Sequence, residues 1–173
     1  MLHSAEAAFN FVIKALMVLV AISIAFFAVM IPVNLLLIKM QWGAIWWLHE
    51  AIEYALYVGV FLGAPAVLQQ GAHVRVDFIT ANLSPSTSAK LERFVDAVGA
   101  IICAVLCIYG IRAALWEFED GTLPDKDLRI ANWIMLMVFS ASFLMLTIEF
   151  LFRFRRADTI VTEESQDPTK AAF

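Results

Sequence analysis

From Ala15 to Ile38 no residue carries a charge. A bilayer core about 30 Å thick is crossed by a helix of about 20 apolar residues, so this stretch alone is long enough to span it. It exceeds the roughly 7–15 residues of a signal-peptide apolar region, and no clear small-residue cleavage site follows, so it reads as a retained helix. Three further stretches repeat the pattern. Tyr54 to Ala72 and Ile130 to Ile148 are uncharged, and Ala97 to Ile111 is shorter but flanked by amphipathic helical sequence. A soluble domain averages about 45–50% apolar and about 25% charged residues, whereas this chain has 62% and 16%. One buried core cannot absorb that excess, and lipid is the solvent that can. The expected fold is an all-α integral membrane protein of four transmembrane helices, roughly 9–39, 46–70, 85–120 and 129–153, within one domain over 1–156. The polar remainder, 157–173, is expected to be a disordered tail.

The basic residues predict an orientation. Lys14, Arg75, Lys90, Arg93, Arg153, Arg155, Arg156 and Lys170 fall on the side of the termini and the 2–3 connection; Lys39, Arg112, Lys126 and Arg129 fall on the other. The richer side belongs in the cytoplasm, giving an N-in, C-in topology. The outward 3–4 connection is then acidic, with Glu117, Glu119, Asp120, Asp125 and Asp127.

Local signals refine the helices. Phe9, Val12, Ile13 and Leu16 form an amphipathic lead-in at helical spacing. Pro32 removes one backbone hydrogen bond and is expected to kink the outer third of helix 1. Trp42, Trp46 and Trp47 cluster where an aromatic belt anchors a protein at the membrane interface. Glu50 and Glu53 share a face at the start of helix 2, a place for headgroup contacts or for pairing with His49 or a neighbouring chain. Below them Ala55, Gly59 and Gly63 make a small-residue stripe that lets another helix approach closely, and Pro65 loosens the far end.

Ser84-Pro85 offers a cap and a first-turn proline. From there Leu91, Phe94, Val95 and Val98 line one face while Lys90, Glu92, Arg93 and Asp96 occupy the rest, an interfacial start to a long third helix. Running to Asp120, before Gly121 and Pro124, it would be roughly 50 Å long and must tilt or project. On it Gly99, Cys103 and Cys107 continue a small packing face. Helix 4 opens on Asn132 and Trp133 and closes on Glu149 and three arginines.

Several function classes fall away. The net charge of −4 and pI near 5.3 argue against nucleic acid. Two cysteines inside an apolar run give no disulfide framework or zinc signature, and the phosphate-loop pattern GxxxxGK[ST] is absent. No catalytic triad is placed at one depth, so no catalytic residue, metal or cofactor is assigned. His49 and His73 sit about 36 Å apart along a helix, too far to ligate one haem. Deep positions carry no Asp, Lys or Arg, so a complete transporter with its own midplane site is not indicated. A supporting role for a larger partner remains.

The segment GAHVRVDF, residues 71–78, interrupts the greasy sequence with His73, Arg75 and Asp77. One His and one Asp are too few ligands for a closed metal site. Val74, Val76 and Phe78 alternate with the polar residues, so the segment reads as a structural latch at the membrane surface, with Asp77 contacting Arg75 or His73 or capping the next turn.

With that segment the chain resembles the DctQ-like small membrane subunit of tripartite ATP-independent periplasmic (TRAP) transporters. The resemblance rests on a G-x-H-V-x-V-D pattern (Gly71, His73, Val74, Val76, Asp77), on Trp47, Glu50 and Glu53 before helix 2, and on length and topology. The 3–4 connection departs from it, with Asp125-Lys126-Asp127 where proline- and aromatic-rich sequence is common.

The resemblance implies uptake of organic acids across a bacterial inner membrane, driven by a sodium gradient. A periplasmic binding protein captures the substrate, a large multi-span subunit carries it by an elevator movement, and the small subunit is a fixed, non-catalytic scaffold among lipids. The outer carboxylates Glu117, Glu119 and Asp120 are then candidates for docking the binding protein. The alternative is a membrane anchor for a redox enzyme.

Overall fold

A computed structural model describes residues 2–69 and 85–166, with side chains over 6–69, 87, 90, 91 and 93–155. Four helices account for nearly all of this: α1 (Leu2–Lys39), α2 (Leu48–Gln69), α3 (Pro85–Asp120) and α4 (Asn132–Gln166). Each contains a segment long and apolar enough to cross a membrane: Glu6–Lys39, Leu48–Gln69, Arg93–Asp120 and Asn132–Arg155. The expected all-α, four-span architecture is what the chain adopts. α1 runs through Pro32, and α2 through Pro65, as single helices. α4 continues to Gln166, so residues 157–166 extend the helix where the polar composition predicts disorder.

The helix ends follow their local chemistry. After Lys39, Gln41 takes the left-handed conformation at φ 57°. Its N–H bonds to the Ile38 carbonyl at 3.0 Å, and the Trp42 N–H reaches back to Leu37 at 3.1 Å. This pair of bonds satisfies carbonyls that the helix end would otherwise orphan. Asn34, buried on α1, accepts the Ile45 N–H at 2.8 Å and folds the 1–2 connection back onto its own helix. At the other turn Gly121 sits at φ 64°, a conformation glycine takes without steric cost, and stops α3 where the sequence signals it.

In space the order is α1–α2–α4–α3, with α3 against α4 the most extensive pairing. Lipid is as apolar as a leucine side chain, so helices associate in a membrane through close packing and hydrogen bonds. α3 shows how. Its buried residues Asp96, Ala100, Cys103, Cys107, Gly110 and Ala114 recur at alternating spacings of four and three, the seam of a left-handed helix pair. Cys103 joins Leu68 and Leu146 in the core, with Ala64, Phe143 and Phe150 packed around them. Between α2 and α4, Phe61 meets Phe139 edge-on and Phe143 at a tilt, with ring centres 5.2 Å and 6.3 Å away. The Ser142 hydroxyl donates to the Phe61 carbonyl in the same layer. α1, by contrast, buries none of its most apolar window inside the chain. It leans on α2 and leaves most of its surface outward.

Candidate functional site

Polar side chains gather at the two ends of the bundle. At the end holding the chain termini, the Gln69 amide donates to Asn10 Oδ1 on α1 and to Glu149 Oε2 on α4, each at 2.8 Å. One turn along α4, Arg153 reaches the Leu68 carbonyl at 3.4 Å and Asp96 of α3 at 3.6 Å. Glu149 and Asp96 are both buried. Buried carboxylates are tolerated when charge and hydrogen-bond partners accompany them, and here Gln69 of α2 serves Glu149 while Arg153 of α4 serves Asp96. Sequence patterning placed Asp96 with the polar residues of the amphipathic start of α3, off its apolar face. The structure turns it inward, because Arg153 lies across the seam.

At the opposite end α2 holds the 3–4 connection. Glu50 accepts the backbone N–H groups of Asp127, at 3.0 Å, and of Leu128. Glu53 pairs with Lys126 at 2.5 Å, and the Lys126 ammonium lies 5.1 Å from the centre of the Tyr54 ring. The Tyr54 hydroxyl donates to the Leu128 carbonyl at 3.2 Å. Hydrogen bonding to Glu53 raises the Lys126 pKa, with partial desolvation opposing and the negative charge of Glu53 adding to the rise. The two carboxylates that the sequence left between headgroups, His49 and a neighbouring chain are in fact partners of this connection. Nothing in their helical spacing names a partner more than seventy residues away in the chain.

The other candidate residues divide. Gly71, His73, Arg75 and Asp77 lie outside the described residues. Of the α2 stripe, Gly59 faces Val20 of α1, where an added Cβ would lie 3.3 Å from its Cγ1, and Gly63 has nothing within 4 Å of that position. Ala55 lines an apolar groove of about 280 Å³ between α1 and α2, with Ser23, Phe27 and Ile31 opposite. Gly99 packs under Phe150 and Cys103 is in the core, both inside the α3–α4 seam. Gly110 belongs to that seam as well. A Cβ there would meet Phe139 at 2.9 Å, and the small-residue spacing Cys103, Cys107, Gly110 was the signal that could have found it. Trp42 and Trp46 are exposed and Trp47 is half-buried. Of the outer carboxylates, Glu117 accepts bonds from Thr122 and, at 3.3 Å, from Asn132, whereas Glu119 and Asp120 are exposed.

Among the described residues no group of three or more His, Cys, Asp or Glu is placed to hold a metal ion. The chemistry of both clusters is positional: each ties helices or a connection to a neighbour.

A family model for the DctQ component of tripartite ATP-independent periplasmic transporters matches residues 39–159, from the end of α1 into α4. No curated protein and no solved structure matches the chain. The match takes in the α2 carboxylates, the 3–4 connection they hold and the α3–α4 seam; this chain belongs to the DctQ component family of tripartite ATP-independent periplasmic transporters.

Proposed function

We propose that the chain is the non-catalytic small membrane subunit of a sodium-driven transporter that takes up organic acids across a bacterial inner membrane. Its work is to hold the static part of a large multi-span subunit at fixed depth. Family membership supplies the transporter context. The observation that carries the scaffold reading is the placement of polar chemistry: it is spent on joining the chain's own elements at both ends, while the membrane-depth surface of α1 stays apolar and uncovered.

In this reading both termini and the 2–3 connection are cytoplasmic, as the positive-inside rule directs. Gly71, His73, Arg75 and Asp77 latch that connection against the large subunit. The open notch at Gly63, continuous with the stripe through Gly59 and Ala55, receives a partner helix. Trp42, Trp46 and Trp47 set the depth of the outer end. Glu119 and Asp120, with Glu117 beside them, contact the periplasmic binding protein through charges that act on encounter more than on affinity.

Reconstitution tests the reading. Proteoliposomes holding the large subunit and this chain, supplied with the binding protein and a sodium gradient, should accumulate a carboxylate substrate. Omitting this chain should abolish uptake. Full-rate uptake by the large subunit alone, or uptake indifferent to sodium, overturns it. Replacing Glu117, Glu119 and Asp120 by their amides should raise the binding-protein concentration needed for half-maximal uptake at low salt; an unchanged requirement removes the docking role.

A further inference from the structure

Arg112 sets a charge on the apolar outer face of α3, after fifteen uncharged residues, 97–111. Residues on an α-helix are set about 100° apart, so Arg112 points roughly 140–160° away from Cys107, Gly110 and Ala114 in the α4 seam. α3 closes one edge of the order α1–α2–α4–α3, with α4 its only extensive neighbour among the described residues. Arg112 is exposed there, as are Ile108, Tyr109, Leu115 and Trp116 on the same side. Its guanidinium carbon lies 6.0 Å from the centre of the Tyr109 ring. Among the described residues it forms no ion pair. Glu119, the carboxylate that shares its side of the helix, stands two turns further on, about 10 Å along the axis.

Depth and charge select the occupant. Glu117 bonds to Asn132 at 3.3 Å and Phe118 meets Trp133 with ring centres 5.5 Å apart, so α4 begins level with this part of α3. Arg112 lies one and a half turns below Glu117, about 8 Å. In the other direction Asp96 is buried in the polar cluster, 3.6 Å from Arg153, and the helix rises about 24 Å from Asp96 to Arg112. A hydrocarbon core is about 30 Å thick, so the backbone of Arg112 stops just short of its boundary and the long stem carries the guanidinium there. Tyr109 and Trp116 bracket that level, as aromatic residues do where hydrocarbon meets headgroups. A charge turned away from its own bundle needs an acceptor from outside it, and a guanidinium fork fits phosphate oxygens two at a time. Beneath it Ile108 and Val105 are exposed and apolar, a surface for an acyl chain.

We propose that this side of α3 binds an anionic phospholipid, with the phosphate on the Arg112 guanidinium between Tyr109 and Trp116 and one acyl chain lying along Ile108 and Val105. The site needs neither the orientation nor the substrate assigned above.

The test uses the full chain in nanodiscs made from equal parts phosphatidylcholine and phosphatidylglycerol. Photoreactive p-benzoylphenylalanine replaces Ile108, or Ile22 on α1 at the other edge of the bundle, and mass spectrometry identifies the cross-linked lipid. The phosphatidylglycerol-to-phosphatidylcholine ratio at position 108 should exceed that at position 22 by about five-fold, which corresponds to ~1 kcal/mol for one basic side chain at an anionic surface. Arg112→Gln should remove the excess at 108 and leave the ratio at 22 unchanged, and Arg112→Lys should keep part of it. Equal ratios at the two positions overturn the proposal, as does an undiminished excess in Arg112→Gln. Loss of the excess on adding millimolar inorganic phosphate would mean a soluble-anion site and also overturn it. In cells that also make the large subunit, position 108 should still capture lipid; capture of protein in its place would mean a protein interface and overturn the lipid site. Should Arg112→Gln fail to fold by circular dichroism, the two ratios with Arg112 intact and the Arg112→Lys result decide.

Discussion

Gln69 and Glu149 meet at 2.8 Å, and the same Gln69 amide nitrogen lies 2.8 Å from Asn10. One side chain at the end of α2 therefore bonds to α1 and α4 at once. Hydrogen bonds between membrane helices are worth about 0.6 kcal/mol on average, but removing a donor from a buried carboxylate adds a desolvation cost of about 1–3 kcal/mol. Gln69→Leu should lower stability by about 1–3 kcal/mol, read as a reduced midpoint in an SDS unfolding titration. A Gln69→Glu variant, placing a second carboxylate beside Glu149, should be worse near neutral pH than Gln69→Leu. Equal stability of all three proteins would show that the amide bridge contributes nothing.

The glycines separate packing from open surface. Alanine at Gly110 would place its Cβ 2.9 Å from the Phe139 ring and closer still to the Ser140 hydroxyl oxygen, inside the α3–α4 seam. Overpacking of this kind costs about 1–3 kcal/mol. Alanine at Gly63 meets nothing within 4 Å among the described residues, and in a helix interior it gains up to about 1 kcal/mol of helix propensity. In the isolated chain Gly110→Ala should lower thermal stability and Gly63→Ala should leave it level or raise it. The reverse order would contradict the packing described for the seam. If Gly63 receives a partner helix, Gly63→Ala should be neutral in the isolated chain and still weaken co-purification with the large subunit.

These two glycines also mark where sequence was informative. The four spans, the stop at Gly121 and the start at Pro85 were legible because each rests on local chemistry: uncharged length, a left-handed φ, a proline that needs no N–H. Gly99 and Cys103 were legible as packing residues because small side chains at helical spacing leave only close approach as their use. Gly59 and Gly63 gave the same signal with a different outcome, since among the described residues Val20 of α1 comes near Gly59 and nothing lies within 4 Å of a Cβ at Gly63. Which small residues a helix fills depends on the order α1–α2–α4–α3, and that order is a tertiary property. The inward turn of Asp96 and the burial of Glu149 escaped for a related reason. A carboxylate at the end of a span reads as headgroup-facing until its partners on other helices are known.

Glu50 supplies the next prediction. It takes the N–H groups of both Asp127 and Leu128 from one position in the first turn of α2. Hydrogen bonds to a charged group are worth about 1.5–3 kcal/mol each in the upper range, and partial exposure reduces that. Glu50→Ala should cost about 1–3 kcal/mol locally and free the 3–4 connection. Hydrogen exchange at Asp127 and Leu128 should accelerate about 5- to 150-fold, with α3 and α4 core amides unchanged. Glu50→Gln, which keeps an acceptor, should fall between. Unaltered exchange at both amides would mean that Tyr54 and Lys126 hold the connection without Glu50.

The Lys126–Glu53 pair predicts a pH dependence of definite sign. Bonding to Glu53 raises the Lys126 pKa above the ordinary lysine value. A lysine whose folded pKa is raised contributes stability that is fully present below its unfolded value and is lost as pH rises through the folded value. The wild type should therefore be more stable than Glu53→Gln by a constant margin from neutral pH up to about pH 10, and the margin should shrink above it. Because the pair is exposed to solvent, the margin is small and should fall with added salt. Thermal midpoints of the two proteins across this range, at low and high salt, check it. A margin that grows with pH reverses the sign and would assign the stabilisation to a group other than the Lys126 ammonium.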